Sequence, residues 1–227
     1  MRIVDYDDCL DKGKVASVSY DICVGANFPV YYQDVYEHLF GEKDSILKLL
    51  LDDYGKISGF GVFQNYQLEI EEKSITMLYL SGMVISYKYQ KLNLSKEVIK
   101  EAYRSFPSDF ISLRTQNIAM AMSLFHLYSD NLFTSLENLD FKSLKILRMF
   151  EPLYNMQENG IIENCYYTQL YPNLDEMKNY FDIHLGKYDA LAVIIEPKLP
   201  KRKKLSIFEE KIKKHKRLIS LTVIFLF

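Results

Sequence analysis

The chain has 227 residues, of which 48% are hydrophobic, 14% aromatic and 26% charged, and its formal net charge is −2. This composition excludes a chain that is disordered throughout and supplies enough apolar material for one folded core, with room for an appendage. No run approaches the roughly 20 apolar residues that a membrane-spanning helix needs.

The cysteines Cys9, Cys23 and Cys165 are scattered without paired spacing, and the N-terminal residues are too charged for a secretory leader. The sequence therefore predicts neither a disulfide framework nor a zinc site, and a reducing, cytoplasmic location is expected. The histidines also lack metal-ligand spacing, so each is predicted to be a packed or exposed side chain. They are His38, His126, His184 and His215.

The first part of the chain predicts a strand, a helix and an antiparallel sheet. Residues 15–24 alternate and are β-rich, which predicts the first strand. Residues 31–40 place aromatic and aliphatic side chains at helical spacing and end at Gly41, which predicts an amphipathic helix. Residues 46–51 and 56–63 flank a turn and predict a hairpin, with 75–86 as a third antiparallel strand.

Residues 75–86, ITMLYLSGMVIS, form a continuous apolar and β-branched run that predicts a central strand buried on both faces. A polar, turn-like segment follows. From Asn93 or Ser95 onward, apolar residues fall at helical spacing, which predicts a helix start. Because the first amides of a helix lack internal partners and carry partial positive charge, this junction is predicted to attract a phosphate.

This junction resembles motif A of the Gcn5-related N-acetyltransferases, the GNAT family. The family pattern Q/R-x-x-G-x-G/A follows a strand that often ends in a Gly-Met-Val-Val-like run, matched here by GMVI at 82–85. Gln90 fits the first position, whereas Asn93 and Ser95 stand where the family has glycine and glycine or alanine. Asn tolerates the left-handed backbone region best among non-glycine residues, and Ser is a small replacement. The loop either still holds the cofactor or has lost it.

A second resemblance lies downstream. Residues 110–117, FISLRTQN, predict a short strand that leads into the helical run IAMAMSLFHLY. This order is similar to the fifth strand and motif B of the same family, in which an Asn at the strand's end opens the helix and contacts the pantetheine arm. Asn117 matches that Asn.

The remaining elements are predicted from local pattern. Residues 132–150 predict a helix, 151–160 a loop, 161–171 a strand, 174–184 a helix and 188–196 a strand. They would be the last elements of an extended acetyltransferase fold.

The resemblance implies an α/β fold over residues 1–197, with a mixed, mainly antiparallel sheet flanked by helices. The strands at 75–86 and 110–115 should pair in parallel, because a helix connects them, and then splay to leave a cleft.

The resemblance further implies an N-acetyltransferase that transfers an acetyl group from the cosubstrate acetyl-CoA to the amine of a small molecule or protein. The acidic body of the chain favours a cationic amine or a basic protein as acceptor. The expected CoA contacts comprise the strand end, the motif A turn and the motif B Asn. They are Met83, Val84, Ile85, Gln90, Lys91, Leu92, Asn93, Leu94, Ser95 and Asn117.

Catalytic groups are expected from the same resemblance. The family base is frequently a carboxylate near the central strand, but 75–86 contains none, so Glu71, in the cluster Glu69, Glu71 and Glu72 just upstream, is the candidate base. The family acid is usually a tyrosine in motif B, and Tyr128 is the nearest one. Phe125 lies nearer the expected position and cannot donate a proton.

Residues 198–227 form a basic tail with nine Lys and Arg residues against two glutamates between 201 and 217, followed by an apolar run at 218–227. That run is about half the length needed to span a bilayer. It is predicted to dock on the domain or to mediate self-association, with shallow burial in a lipid interface as the alternative.

Two further functions stay open. One is a catalytically silent GNAT-like interaction module. The other is a membrane-surface or nucleic-acid-associated protein that acts through the tail, although nucleic acid is not the expected partner.

Overall fold

The computed structural model describes residues 1–43, 45–70, 72–127, 132–133, 145–157, 159–171, 174–195 and 197. The strands are β1 Arg2–Asp5, β2 Ser45–Leu51, β3 Ile57–Ile70, β4 Lys73–Ile85, β5 Phe110–Thr115, β6 Leu132–Phe133, β7 Ile161–Ile162 and β8 Ala190–Ile195. The α-helices are α1 Lys12–Gly25, α2 Tyr32–Phe40, α3 Leu94–Ser105, α4 Ile118–Leu127 and α5 Asp175–Phe181.

The strands form one mixed sheet in the order β1-β2-β3-β4-β5-β8-β6, with β7 also paired to β8. Strands β2, β3 and β4 are successive antiparallel neighbours, as predicted. Strand β5 runs parallel to β4 because α3 carries the chain back to the same edge of the sheet. The α/β fold with a mainly antiparallel sheet and a parallel central pair is confirmed.

The central pair separates partway along its length. Register pairs between β4 and β5 extend only from Met77 with Phe110 to Leu80 with Leu113, although both strands continue beyond. Opposite β3, Leu80 pairs with Phe63 and Gly82 with Val62, so that Ser81 is an extra residue. Such a bulge bends a strand and increases its twist. The predicted splay therefore begins at the bulge.

Apolar side chains cover both faces of the sheet. On one face, α3 and α4 pack against Leu78, Leu80 and Leu113. On the other face, α1 and α2 cover β2 and β3, and the segment 147–156 covers Met77 and Tyr79 of β4. Alternation along β4 thus supplies both cores, as expected for a strand buried on both sides.

The prediction of a strand at 15–24 is wrong, because these residues belong to α1. Side chains at positions 15, 16, 19, 22 and 23 are buried, which is helical and not alternating spacing. Asp11 begins the helix, since its side chain accepts a hydrogen bond from the Lys14 amide at 2.9 Å. The β-branched residues of this segment made its helical spacing hard to recognise in the sequence. The first strand is instead β1.

Three later predictions also change. The predicted strand at 161–171 is short, because pairing with β8 stops after Ile162. The predicted helix at 174–184 is shorter, since Asp182 adopts a left-handed conformation that ends α5. At the start of the predicted helix 132–150, Leu132 and Phe133 pair with β8 as a strand.

The basic tail 198–227 and residues 134–144 lie outside the described residues. Within the described part of the chain, every helix is too short or too polar to cross a bilayer.

A buried lysine ties the sheet edge to α3. Lys48 on β2 is 1% exposed, and its Nζ lies 2.6 Å from Asp5 Oδ1 and donates to Ser105 Oγ at 2.8 Å. The Asp5 side chain is 66% exposed and therefore remains hydrated. Loss of the ion pair would therefore affect the two partners differently, because only the lysine would remain as a buried charge without a partner ion.

We expect Asp5→Ala to lower the free energy of unfolding by about 1–3 kcal/mol, because it leaves the buried ammonium without its anion. Lys48→Met should change it by less than about 1 kcal/mol, since a flexible apolar chain replaces the buried cation. The matched control Asp53→Ala removes a carboxylate that is 81% exposed and pairs with the N-terminal amine. Urea unfolding measures all three, and a larger loss for Lys48→Met than for Asp5→Ala would contradict this account.

Candidate functional site

A cavity of about 260 Å³ lies where β4 and β5 separate. Its walls come from both faces of the sheet. Met83, Leu113 and Met120 belong to the core beneath α3 and α4, whereas Val35 and Phe60 belong to the core beneath α1 and α2. The splay therefore opens a passage between the two faces.

The polar groups of the cavity come from α2, the bulge and the end of β5, together with the segment that follows β7. They are Asp34, His38, Ser81, Arg114, Thr115, Tyr166 and Tyr171.

One edge of β4 faces this cavity. Beyond the bulge, Gly82, Met83, Val84 and Ile85 pair with β3, but β5 no longer lies alongside. Backbone groups on the free edge are thus available to an extended ligand, as at other exposed sheet edges. Of the predicted residues, Met83 and Val84 line the cavity.

The motif A turn adopts the backbone that its pattern requires. Asn93 has φ 58° and ψ 20°, the left-handed conformation predicted for the residue that replaces glycine, and Lys91 also has a positive φ of 67°. Asn93 immediately precedes α3, so the unpaired amides of the first helical turn begin at Leu94 and Ser95. The turn therefore leads into a helix start whose first amides have no partner within the helix, with Leu92 exposed beside it.

Two side-chain contacts hold this turn. Gln90 donates from Nε2 to the carbonyl oxygen of Ile85 at 3.1 Å, which fastens the turn to the end of β4. The hydroxyl oxygens of Ser95 and Ser123 lie 3.1 Å apart. Since Ser123 donates to the Ala119 carbonyl at 2.8 Å, the Ser95 hydroxyl donates to Ser123 and links α3 to α4.

Asn117 opens α4, as predicted. Its Oδ1 accepts a hydrogen bond from the Ala119 amide at 2.8 Å, and its own amide donates to Thr115 Oγ1 at 2.8 Å. Burial raises the pKa of Tyr171, and a side-chain hydrogen bond with Asn117 opposes part of this rise. Asn117 thus lies between the helix start and the cavity wall.

His38 is a site residue that the sequence analysis missed. The ring packs directly on β4 next to the bulge, so closely that a Cβ at Gly82 would overlap Nε2. The pKa of His38 is lowered from 6.5, chiefly because the ring is partly buried against β4 and also because of the Arg114 charge, although part of the residue remains exposed to solvent. The imidazole is therefore neutral at pH 7 and can accept a proton. In the sequence, the only sign of this contact is the glycine of the GMVI run, and that glycine does not indicate which side chain packs against it.

The wall opposite β4 is fixed by a buried glutamine. Gln116 donates from Nε2 to the carbonyls of Lys187 at 3.0 Å and Asp189 at 2.9 Å, while its Oε1 accepts from the Leu170 amide at 2.9 Å. These bonds hold the segment 166–171 beside the end of β5. The Tyr166 hydroxyl also donates to the Arg114 carbonyl at 3.2 Å.

The predicted catalytic residues Glu71 and Tyr128 both lie outside the described residues. Glu69, two residues before Glu71, pairs with Ser74 at the far end of the β3–β4 hairpin. At about 3.3 Å per residue, Ser74 is roughly 20 Å from Leu80, where the strands separate. Glu69 is therefore remote from the cavity.

The environment of His38 gives a titration test. In the wild type, the imidazole pKa measured by NMR should lie below 6.5. Arg114→Gln should raise it, because a nearby cation disfavours protonation, yet leave it below 6.5, because exclusion of water is the larger cause. The control Arg104→Gln removes an arginine that pairs with Glu101 on α3 and should leave the pKa unchanged. A wild-type pKa of 6.5 or higher would contradict this environment.

No family model matches the sequence, and no curated protein matches it either. Among solved structures, the ribosomal-protein-S18-alanine N-acetyltransferase from Escherichia coli is similar over 91% of this chain and 99% of its own, with 14% identity and a TM-score of 0.50. Naa20 from Chaetomium thermophilum, in complex with a bisubstrate analogue, is similar over 93% of this chain and 99% of its own, with 6% identity and a TM-score of 0.50. The chain has the fold of the Gcn5-related N-acetyltransferases, as the two sequence motifs predict.

Proposed function

We propose that the protein is an acetyl-CoA-dependent N-acetyltransferase. The observation that carries this proposal is the cavity between β4 and β5, which places the free strand edge at Met83 and Val84 next to a neutral histidine, His38, on the other face. A reaction between two substrates needs them to approach one point from different sides. The passage between the faces of the sheet supplies that geometry.

The donor half of the site comprises the β4 edge and the motif A turn. The pantetheine of CoA would extend along Met83, Val84 and Ile85, with Asn117 at its side. The pyrophosphate would bind the amides of the motif A turn, where the helix dipole favours negative charge. The turn residues are Gln90, Lys91, Leu92, Asn93, Leu94 and Ser95.

The acceptor half lies beneath α1 and α2. Acetyl-CoA supplies an activated thioester, and the amine nitrogen forms a bond to the acetyl carbon while the carbon–sulfur bond breaks. The nitrogen must lose a proton, and His38 is the described group placed to take it, because its imidazole is neutral and contacts β4 at Gly82. Glu71 and Tyr128 stay predictions for the base and the acid.

Asn93 tests the donor half. Asn93→Gly should keep or strengthen CoA binding, because glycine adopts the required positive φ without steric cost. Asn93→Pro should abolish binding, because proline fixes φ near −65° and removes an amide donor. Calorimetry with CoA measures both, and thermal unfolding establishes that each variant is folded. Absence of CoA binding by the wild type and Asn93→Gly would favour the silent interaction module.

His38 tests the acceptor half. His38→Gln should lower kcat by about 10²–10⁴-fold, the usual contribution of a general base, with the Kd for CoA unchanged. The wild-type rate should fall as pH drops through the His38 pKa, because the protonated ring accepts no proton, and the variant should lose this limb. The control His184→Gln alters an exposed histidine away from the cavity. A variant that keeps the wild-type rate would exclude His38 as the base.

A further inference from the structure

Arg114 occupies the first position of β5 beyond its last pair with β4. Leu113, which pairs with Leu80, faces the core beneath α3 and α4. Alternation along the strand therefore turns Arg114 to the opposite face, where it lines the cavity together with His38. The Tyr166 hydroxyl holds the Arg114 carbonyl, so the backbone that carries this side chain is fixed.

No carboxylate among the described residues forms an ion pair with the Arg114 guanidinium. The Asp34 carboxylate also lines the cavity, but it accepts the Tyr31 amide at 3.2 Å at the start of α2. Glu151 influences Arg114 only at a distance, and its carboxylate accepts the Tyr66 hydroxyl at 3.1 Å. Arg114 is an exposed residue of the cavity lining, and its guanidinium has no ion-pair partner among the described residues.

Four titratable groups that interact electrostatically with Arg114 are neutral near pH 7. Burial raises the pKa values of Tyr79, Tyr166 and Cys165, so these groups stay protonated. The lowered pKa of His38 keeps the imidazole uncharged. The Tyr79 hydroxyl, also on this face, is buried and has no hydrogen-bond partner among the described residues. An anion beside Arg114 would therefore meet these neutral groups and one cation, with Asp34, which accepts the Tyr31 amide, as the described carboxylate of the lining.

The phosphates of the donor would lie too far away to supply that anion. Leu80 pairs with Leu113, so Arg114 lies about level with Ser81, four residues from Ile85, which corresponds to about 13 Å of strand. The turn proposed to bind the pyrophosphate lies beyond Ile85, and the pantetheine between them is uncharged. A carboxylate that meets Arg114 would then come from the other substrate.

We propose that the acceptor is a small amine with an apolar body and a carboxylate, and that Arg114 binds this carboxylate as the specificity-determining residue. A guanidinium matches a carboxylate with two parallel hydrogen bonds. The cavity volume of about 260 Å³ lies below the usual range for drug-sized ligands, and aliphatic and aromatic side chains form much of its lining. This inference rests on the proposed function, and it replaces the expectation of a cationic acceptor.

Two sources share this chemistry, a free amino acid and a peptide with an acidic second residue. The test uses acid and amide pairs that differ only in charge, N-acetyl-leucine with N-acetyl-leucinamide, and N-acetyl-Gly-Glu-amide with N-acetyl-Gly-Gln-amide. Calorimetry measures their binding to the full chain, with and without CoA, so that no turnover is needed. CoA alone is titrated separately, and failure of that titration would count against the proposed function without deciding the acceptor class.

The wild type should bind the acid of one pair at least about 10-fold more tightly than its amide, as expected for a charge-assisted hydrogen bond. The pair that shows the preference identifies the source. Arg114→Gln should bring that ratio close to one, Arg114→Lys should keep part of it, and Arg104→Gln should keep all of it. A wild type without preference for either acid, or a preference that survives in Arg114→Gln, would overturn the proposal.

Steady-state kinetics distinguishes an Arg114 that binds the carboxylate of the acceptor from an Arg114 that acts on the acetyl group. With leucine and leucinamide as acceptors, Arg114→Gln should raise KM for leucine by about 10-fold or more and leave leucinamide nearly unchanged. An equal loss of kcat for both acceptors would place Arg114 at the thioester carbonyl and would contradict the assignment.

Discussion

The interrupted pairing of β4 with β5 is the constraint on which the site depends. Four register pairs, ending at Leu80 and Leu113, hold the two strands together. Beyond them the bulge at Ser81 redirects β4, and Ser81 donates from Oγ to the Val62 carbonyl at 3.2 Å, which keeps β4 on β3 instead of β5. The free edge, the cavity and the access from both faces all follow from this local departure. A regular central pair would have filled the space with a continuous ladder.

In the motif A turn, the feature that matches the sequence pattern is the backbone conformation and not the glycine itself. Asn93 supplies the positive φ, and Ser95 uses its hydroxyl to join α3 to α4 through Ser123. These features were predictable because their signals are local: an apolar run, a polar turn and helical spacing lie within about 30 residues of one another. The same holds for Asn117, whose capping role follows from its position between β5 and α4.

The parts that could not be predicted depend on contacts between distant residues. Residues 15–24 have a strand-like composition, but packing on the sheet selects the helical period. His38 enters the site only because the β4 backbone at Gly82 leaves room for its ring. The wall at 166–171 depends on Gln116, whose bonds span 54 to 73 positions along the chain. No local pattern encodes such distances, so the fold was predictable while one half of the site was not.

The charge of the whole chain and the charge inside the cavity act at different stages. A surface potential steers the encounter and is screened within about 8–10 Å at ordinary ionic strength. A guanidinium that lines a largely apolar cavity would interact more strongly with a carboxylate once a bound ligand had displaced water. For the proposed acceptor, the acidic body of the chain would therefore affect the rate of encounter, and Arg114 would affect which amine binds. Selectivity would then follow from Arg114, which has no ion-pair partner among the described residues, more than from the net charge of −2.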